Sequence, residues 1–138
     1  EIYDPLKLEV DWKYRTILIV EDVKSNYVFL KSALSKTKAR IERASTGKEA
    51  IDMCTTNPGI DLVLMDIHLP GMSGYAASRE IKKIRDDITI IAQTAFVLSG
   101  EKEKCFEAGC DEYIAKPIRS DEMIAKIRNC LVKNGKKA

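Results

Sequence analysis

The chain has 138 residues, 45% of them apolar and 32% charged, with 23 Lys and Arg against 21 Asp and Glu. That length supports one domain with a real core, and the composition excludes disorder, a collagen-like fibre and a disulfide-rich miniprotein. No apolar run approaches the ~20 residues of a membrane span, and a formal charge of +2 without aromatic-interleaved basic clusters argues against nucleic-acid or membrane contact.

Residues 1–15 are polar with isolated aromatics (Tyr3, Trp12, Tyr14) and read as a lead-in segment. The start lacks the basic and apolar stretches of a signal peptide and an initiator Met, so the chain reads as processed or as part of something longer. Thr16–Val20 is a β-rich run, followed by helical spacing that puts Val23, Tyr27, Leu30 and Leu34 on one face. Arg40–Ala44 is a polar strand suited to a sheet edge. Thr46 and Glu49 then form a capping box for the second helix. Leu62–Met65 is an apolar strand, and Ser73 or Gly74 opens a helix with Ala77, Ile81 and Ile84 facing inward. Thr89–Gln93 is the fourth strand, and a helix over about Ser99–Ala108 stops at Gly109. Glu112–Ala115 is the fifth strand. Ser120 caps the last helix, with Asp121 and Glu122 in its first turn and Ile124, Ile127 and Leu131 buried. The domain therefore spans 16–133, with a tail at 134–138. Lys82-Lys83-Ile84-Arg85 reads as a solvated face. Cys54, Cys105, Cys110 and Cys130 form no Cys-x-x-Cys pair and read as reduced, buried thiols, which points to the cytoplasm.

Strands alternating with helices predict an α/β fold with one five-stranded parallel sheet, order 2-1-3-4-5, and helices on both faces. Ligands of such sheets sit beyond the C-terminal strand ends. There the sequence places Glu21-Asp22, Asp66, Thr94-Ala95 and Lys116-Pro117. One acid at a strand end is ordinarily a cap or turn residue; the whole set is not accounted for that way. Clustered carboxylate oxygens suit a hard cation, and Mg²⁺ bound by a few carboxylates and waters is the ordinary solution. Mg²⁺ together with Lys116 balances the three acids, leaving a site ready for a phosphoryl group.

With these motifs the sequence resembles the receiver domain of two-component response regulators, whose fold is flavodoxin-like. The carrying segments are Ile17-Leu18-Ile19-Val20-Glu21-Asp22, Leu64-Met65-Asp66-Ile67-His68-Leu69-Pro70-Gly71-Met72-Ser73-Gly74, Ala92-Gln93-Thr94-Ala95 and Lys116-Pro117-Ile118. The resemblance implies that Asp66 is the phosphoacceptor, fed from a histidine kinase or a histidine phosphotransfer domain. It implies Mg²⁺ ligation by Asp22 and Asp66, by Glu21 through water, and by the main-chain carbonyl of His68. Thr94 and Lys116 would contact the phosphoryl oxygens, Tyr113 would be the aromatic switch, and Lys116–Pro117 would be cis. Such a domain assists its own phosphorylation and dephosphorylation. Glu21 stands where the family more often has Asp. His68 and Phe96 occupy positions that tune the lifetime of the phosphorylated state, Phe96 by keeping water out. The His68 side chain is expected to point to solvent, and Val23 and Tyr27 to help dock a phosphohistidine domain.

The approach Val10-Asp11-Trp12-Lys13-Tyr14-Arg15 is similar to that preceding the C-terminal receivers of hybrid sensor histidine kinases, whose parent chains can be anchored in the inner membrane. A stand-alone single-domain regulator is the alternative. A small Mg²⁺-dependent phosphatase with an Asp nucleophile would want a second acid where His68 stands. A flavin-binding module would want Ser, Thr and Gly where Glu21-Asp22-Val23-Lys24 stands, and acids there repel a phosphate.

Overall fold

The computed structural model describes residues 10–95 and 100–133, the side chain of residue 133 excepted. The elements in chain order are β1 (Thr16–Val20), α1 (Lys24–Ala33), β2 (Arg40–Ala44), α2 (Gly47–Thr56), β3 (Ile60–Asp66), α3 (Gly74–Ile84), β4 (Thr89–Thr94), α4 (Glu101–Glu107), β5 (Glu112–Ala115) and α5 (Ser120–Lys133). The five strands form one parallel sheet in the order β2-β1-β3-β4-β5. β3 and β4 run slightly beyond the predicted bounds, so Asp66 and Thr94 close their strands rather than follow them.

Period-two alternation along each strand divides the core into two layers. Leu18, Val20, Val63, Met65, Ile90 and Ala92 pack on the side of α2 and α3, against residues such as Ala50, Cys54, Ala77 and Ile81. Ile17, Ile19, Leu62, Leu64, Ile91 and Ile114 pack against Leu30 and Leu34 after α1 begins, and against Ile124, Ile127 and Leu131 of α5. β1, β3 and β4 are buried almost throughout, whereas β2, at the sheet edge, is exposed at Arg40, half-buried over its next three residues and buried only at Ala44.

Several expectations shift. Val23 caps α1 instead of joining its buried face and is 45% exposed, while Tyr27 is half-buried beneath Arg43. Ile84 is 47% exposed as the last residue of α3, leaving Ile81 as the last buried position of that helix. Ser120 is the first residue of α5 rather than its cap; Met123 N–H already bonds back to the Arg119 carbonyl. Lys82 is no solvated residue: its ammonium donates to the Ile88 carbonyl (2.6 Å) and Asp111 (2.9 Å). Trp12, in the segment read as lead-in, is 1% exposed in the second core layer, and its main-chain N–H donates to the Thr37 carbonyl while its indole N–H is buried without a hydrogen bond.

The capping box holds, with Thr46 accepting from Glu49 N–H and Glu49 accepting from Ser45 N–H. All four cysteines are buried and outside any disulfide. Burial pushes the Cys54 and Cys110 thiols up to about 11 and Cys105 to about 12, so they stay protonated. Gly109 is left-handed after α4, and Lys116–Pro117 is cis. Among the described residues no helix is long and apolar enough to cross a membrane.

Candidate functional site

At the C-terminal ends of β1 and β3, one carboxylate oxygen from each of Glu21, Asp22 and Asp66 lies within 4.8 Å of the others. Glu21 and Asp66 are buried at the rim of the core, and Asp22 is exposed. Glu21 Oε2 accepts from Val23 N–H (3.3 Å), a bond that turns the chain into α1. Its Oε1 is buried without a hydrogen bond, 3.9 Å from the Lys116 ammonium. Asp66 Oδ1 accepts from His68 N–H (3.0 Å) and from Lys116 Nζ (3.3 Å). Burial, then the Asp66 charge, push the Glu21 carboxyl up, against the pull of Val23 N–H and Lys116.

The donor set fits Mg²⁺. Hard oxygens converge, one of them is an orphaned buried oxygen, and among the described residues Lys116 is the cation facing acids where burial and then the Asp66 charge already raise Glu21. A second cation at this spot would remove the mismatch.

Two backbone features hold the acids. Arg43 reaches from β2 to the Glu21 carbonyl with Nε and Nη2 (3.3 and 3.1 Å) and to the Asp22 carbonyl (3.3 Å). Its guanidinium lies 4.9 Å from the centre of the Tyr27 ring. At Gly74 a Cβ would fall onto the Asp66 carbonyl oxygen and lie 2.6 Å from Ile67 Cα, so only glycine lets α3 start against the acid's own backbone. Gly74 N–H closes that turn on the Ile67 carbonyl (2.9 Å).

Beyond β4 the arrangement differs from expectation. Thr94 Oγ1 donates to Glu101 Oε1 (3.2 Å), and His68 Nε2 donates to the same oxygen (3.0 Å). The His68 side chain is therefore about half exposed and paired, not simply turned to solvent. Glu101 is only 6% exposed, in the first turn of α4, and the buried Tyr75 hydroxyl beside it makes no well-formed hydrogen bond. Burial would raise the Glu101 carboxyl, but the nearby hydroxyls of Tyr75 and Thr94, then His68, hold it below the usual carboxylate range. Burial also raises the Tyr75 phenol. The sequence reading missed Glu101; an acid one residue past Gly100 was open to view there only as an ordinary first-turn residue.

The half-buried Tyr113 ring meets Phe106 edge-on (centroids 6.3 Å apart) and lies beneath Lys126 (4.7 Å) and Lys102 (5.8 Å). Lys126 also donates to the Tyr113 carbonyl (2.7 Å). The structure thus brings Glu21, Asp22, Asp66 and Lys116 together and joins Thr94 to His68 through Glu101, with Tyr113 on the adjoining α4–β5–α5 face. Phe96 lies outside the described residues, as do most of the lead-in (residues 1–9) and the tail (134–138). Next to Lys116 a cavity of about 450 Å³ opens between α1 and the β5–α5 loop, lined by Asn26, Phe29, Pro117 and Ile118 among others.

Comparison with known proteins agrees with this geometry. Residues 17–128 match the response regulator receiver domain family. The chain is 39% identical over 116 residues to the aerobic respiration control sensor protein ArcB of Escherichia coli, covering 81% of this chain but 14% of that protein. It thus spans about one seventh of that relative's length. It is 33% identical over 119 residues to the polar-differentiation response regulator DivK of Brucella ovis, covering 85% of this chain and 96% of that one. Among solved structures, the receiver domain of a sensor histidine kinase from Pseudomonas aeruginosa superposes with a TM-score of 0.78 at 32% identity, covering 83% and 95% of the two chains. That structure holds a magnesium ion in its active site cleft. The receiver of the response regulator Ssk1 of Saccharomyces cerevisiae, crystallised with the histidine phosphotransfer protein Ypd1, gives 0.79 at 27% identity, covering 96% and 94%. The acids at the strand ends, the Lys116 contact and these likenesses lead to one assignment: the chain belongs to the receiver domain family of two-component response regulators.

Proposed function

We propose that this receiver takes a phosphoryl group from a phosphohistidine onto Asp66. The observation that carries the reading is the Lys116 ammonium 3.3 Å from Asp66, beside three convergent carboxylates. A carboxylate oxygen of Asp66 attacks phosphorus in line. An O–P bond forms as the P–N bond to imidazole breaks, and the electron pair stays on the departing nitrogen, which is then protonated. Lys116 and the hydroxyl of Thr94 receive the phosphoryl oxygens. Positioning and charge stabilisation supply most of the rate, since the transition state is loose. Glu21, Asp22, Asp66 and the main-chain carbonyl of His68 would hold Mg²⁺, which supplies charge neutralisation of the phosphoryl oxygens when bound.

The acyl phosphate carries about −1.5 to −2 of charge, by analogy with other phosphorylated side chains, in place of the single charge of the carboxylate. Its differential contact with Thr94 and Lys116 is the only source of a shift in population. Drawing Thr94 inward makes room for Tyr113 and changes the α4–β5–α5 face. His68 and Phe96 tune how long the acyl phosphate lasts.

The donor is a histidine kinase or phosphotransfer domain that docks over α1, where Val23, Val28 and Phe29 are exposed apolar residues and Phe29 lines the cavity at Lys116. The likeness to one segment of a sensor protein supports a hybrid-kinase parent, and the DivK match supports a free-standing regulator as the second reading. The test is transfer of labelled phosphoryl from a phosphorylated histidine phosphotransfer domain. Label should appear on this chain with Mg²⁺ and not on Asp66→Asn; transfer to Asp66→Asn at the parent rate would overturn the assignment.

A further inference from the structure

We infer that Glu101 is a positioning residue that holds the hydroxyl of Thr94 away from the phosphoryl site and exchanges it for the hydroxyl of Tyr75 when Asp66 is phosphorylated. The inference rests on the receiver reading above and deepens it. A threonine hydroxyl has one O–H to give. Here Thr94 gives it to Glu101 Oε1 at 3.2 Å, so it cannot reach a phosphoryl oxygen without breaking that bond. The acceptor is strong, being a carboxylate 94% removed from solvent, and its own first-turn position in α4 ties the helix to the Thr94 hydroxyl.

A buried carboxylate that loses a donor is costly unless another replaces it. Tyr75, on α3, supplies the replacement. Its hydroxyl is buried near enough to Glu101 to draw that carboxyl down, yet makes no well-formed hydrogen bond in the present arrangement. An orphaned buried hydroxyl beside a doubly bonded carboxylate oxygen has a reason to exist if it is satisfied in the other state. His68 stays on the same Oε1 and, through its own N–H on Asp66, links this carboxylate to the phosphoacceptor turn. The exchange makes a two-state element of α3, α4 and the end of β4, with Glu101 as the shared acceptor.

The experiment titrates the full chain with beryllofluoride, a phosphoryl mimic, at saturating Mg²⁺, following the amide signals of residues around Asp66. Glu101→Ala releases Thr94 and should bind beryllofluoride about three- to tenfold more tightly than the parent. Tyr75→Phe removes the replacement donor and should bind about threefold more weakly. Both effects should vanish in a Thr94→Ala background, because Glu101 and Tyr75 act through that hydroxyl. A tightening by Glu101→Ala that persists without Thr94 would be simple relief of charge repulsion and would overturn the inference, as would parent-like binding by either single variant. If Glu101→Ala does not fold, Tyr75→Phe decides alone. A parent chain that binds no beryllofluoride, or an Asp66→Asn chain that binds it equally, removes the receiver reading itself and the inference with it.

Discussion

At the ends of β1 and β3 the acids are fastened largely by main chain. Val23 and His68 N–H groups hold Glu21 and Asp66, Arg43 clamps the Glu21 and Asp22 carbonyls, and Gly74 sits against the Asp66 backbone. At the ends of β4 and β5 the contacts run from side chain to side chain: Thr94 and His68 on Glu101, and Lys126 and Lys102 over Tyr113. Moving the first set means moving strands. Moving the second exchanges one donor for another on a carboxylate, bonds worth about 1.5–3 kcal/mol net each. A fixed charge cluster thus faces an exchangeable one across the same sheet edge, which is what a switch driven by one covalent phosphate needs.

Gly74→Ala attacks the rigid side hardest. The added methyl meets main-chain atoms that cannot turn aside, and the domain should lose about 3 kcal/mol, read as a lower urea midpoint. A loss under about 0.5 kcal/mol would mean that this half is not rigid. Arg43→Ala frees two carbonyls and the Tyr27 ring and should cost about 1.5 kcal/mol, with weaker Mg²⁺ binding by titration. Unchanged Mg²⁺ affinity would separate Arg43 from the site.

Glu21→Gln tests the electrostatic strain there. The Glu21 carboxyl is raised above its ordinary 4.5, so the fold favours its protonated form. The stability it contributes is full below that value and is lost as pH rises through the folded value. The variant should therefore melt above the parent at pH 7 without Mg²⁺, by less than Arg43→Ala lowers it, and match it in acid. A lower melting point at pH 7 would refute the strain. On the exchangeable side, Lys126→Met removes a cation over Tyr113 and a bond to its carbonyl. It should cost only about 0.5 kcal/mol. A cost above about 2 kcal/mol would show that half to be as rigid as the other.

What the sequence disclosed follows from locality. The strands, the capping box at Thr46 and the acids at strand ends are written in short windows, where apolar runs stop at a charged residue. Glu101 was hidden because its meaning comes from Thr94 and His68, side chains brought to it from β4 and the loop after β3. Arg43 was hidden for the same reason: an arginine on a polar edge strand has the expected composition, and its reach across to the Glu21 carbonyl is a tertiary fact. Ile84 and Val23 were misplaced because helical spacing continues across helix ends, where Val23 is the cap of α1 and Ile84 the last residue of α3. Trp12 was misread because a lone aromatic in a polar stretch has no periodicity, and its burial comes from the core layer it joins.

The most direct measurement is the intact mass of the chain after acetyl phosphate, with Mg²⁺, with chelator, and as Asp66→Asn. The account predicts one added phosphoryl group in the first case and none in the other two. Addition that survives Asp66→Asn, or that ignores the chelator, would contradict it.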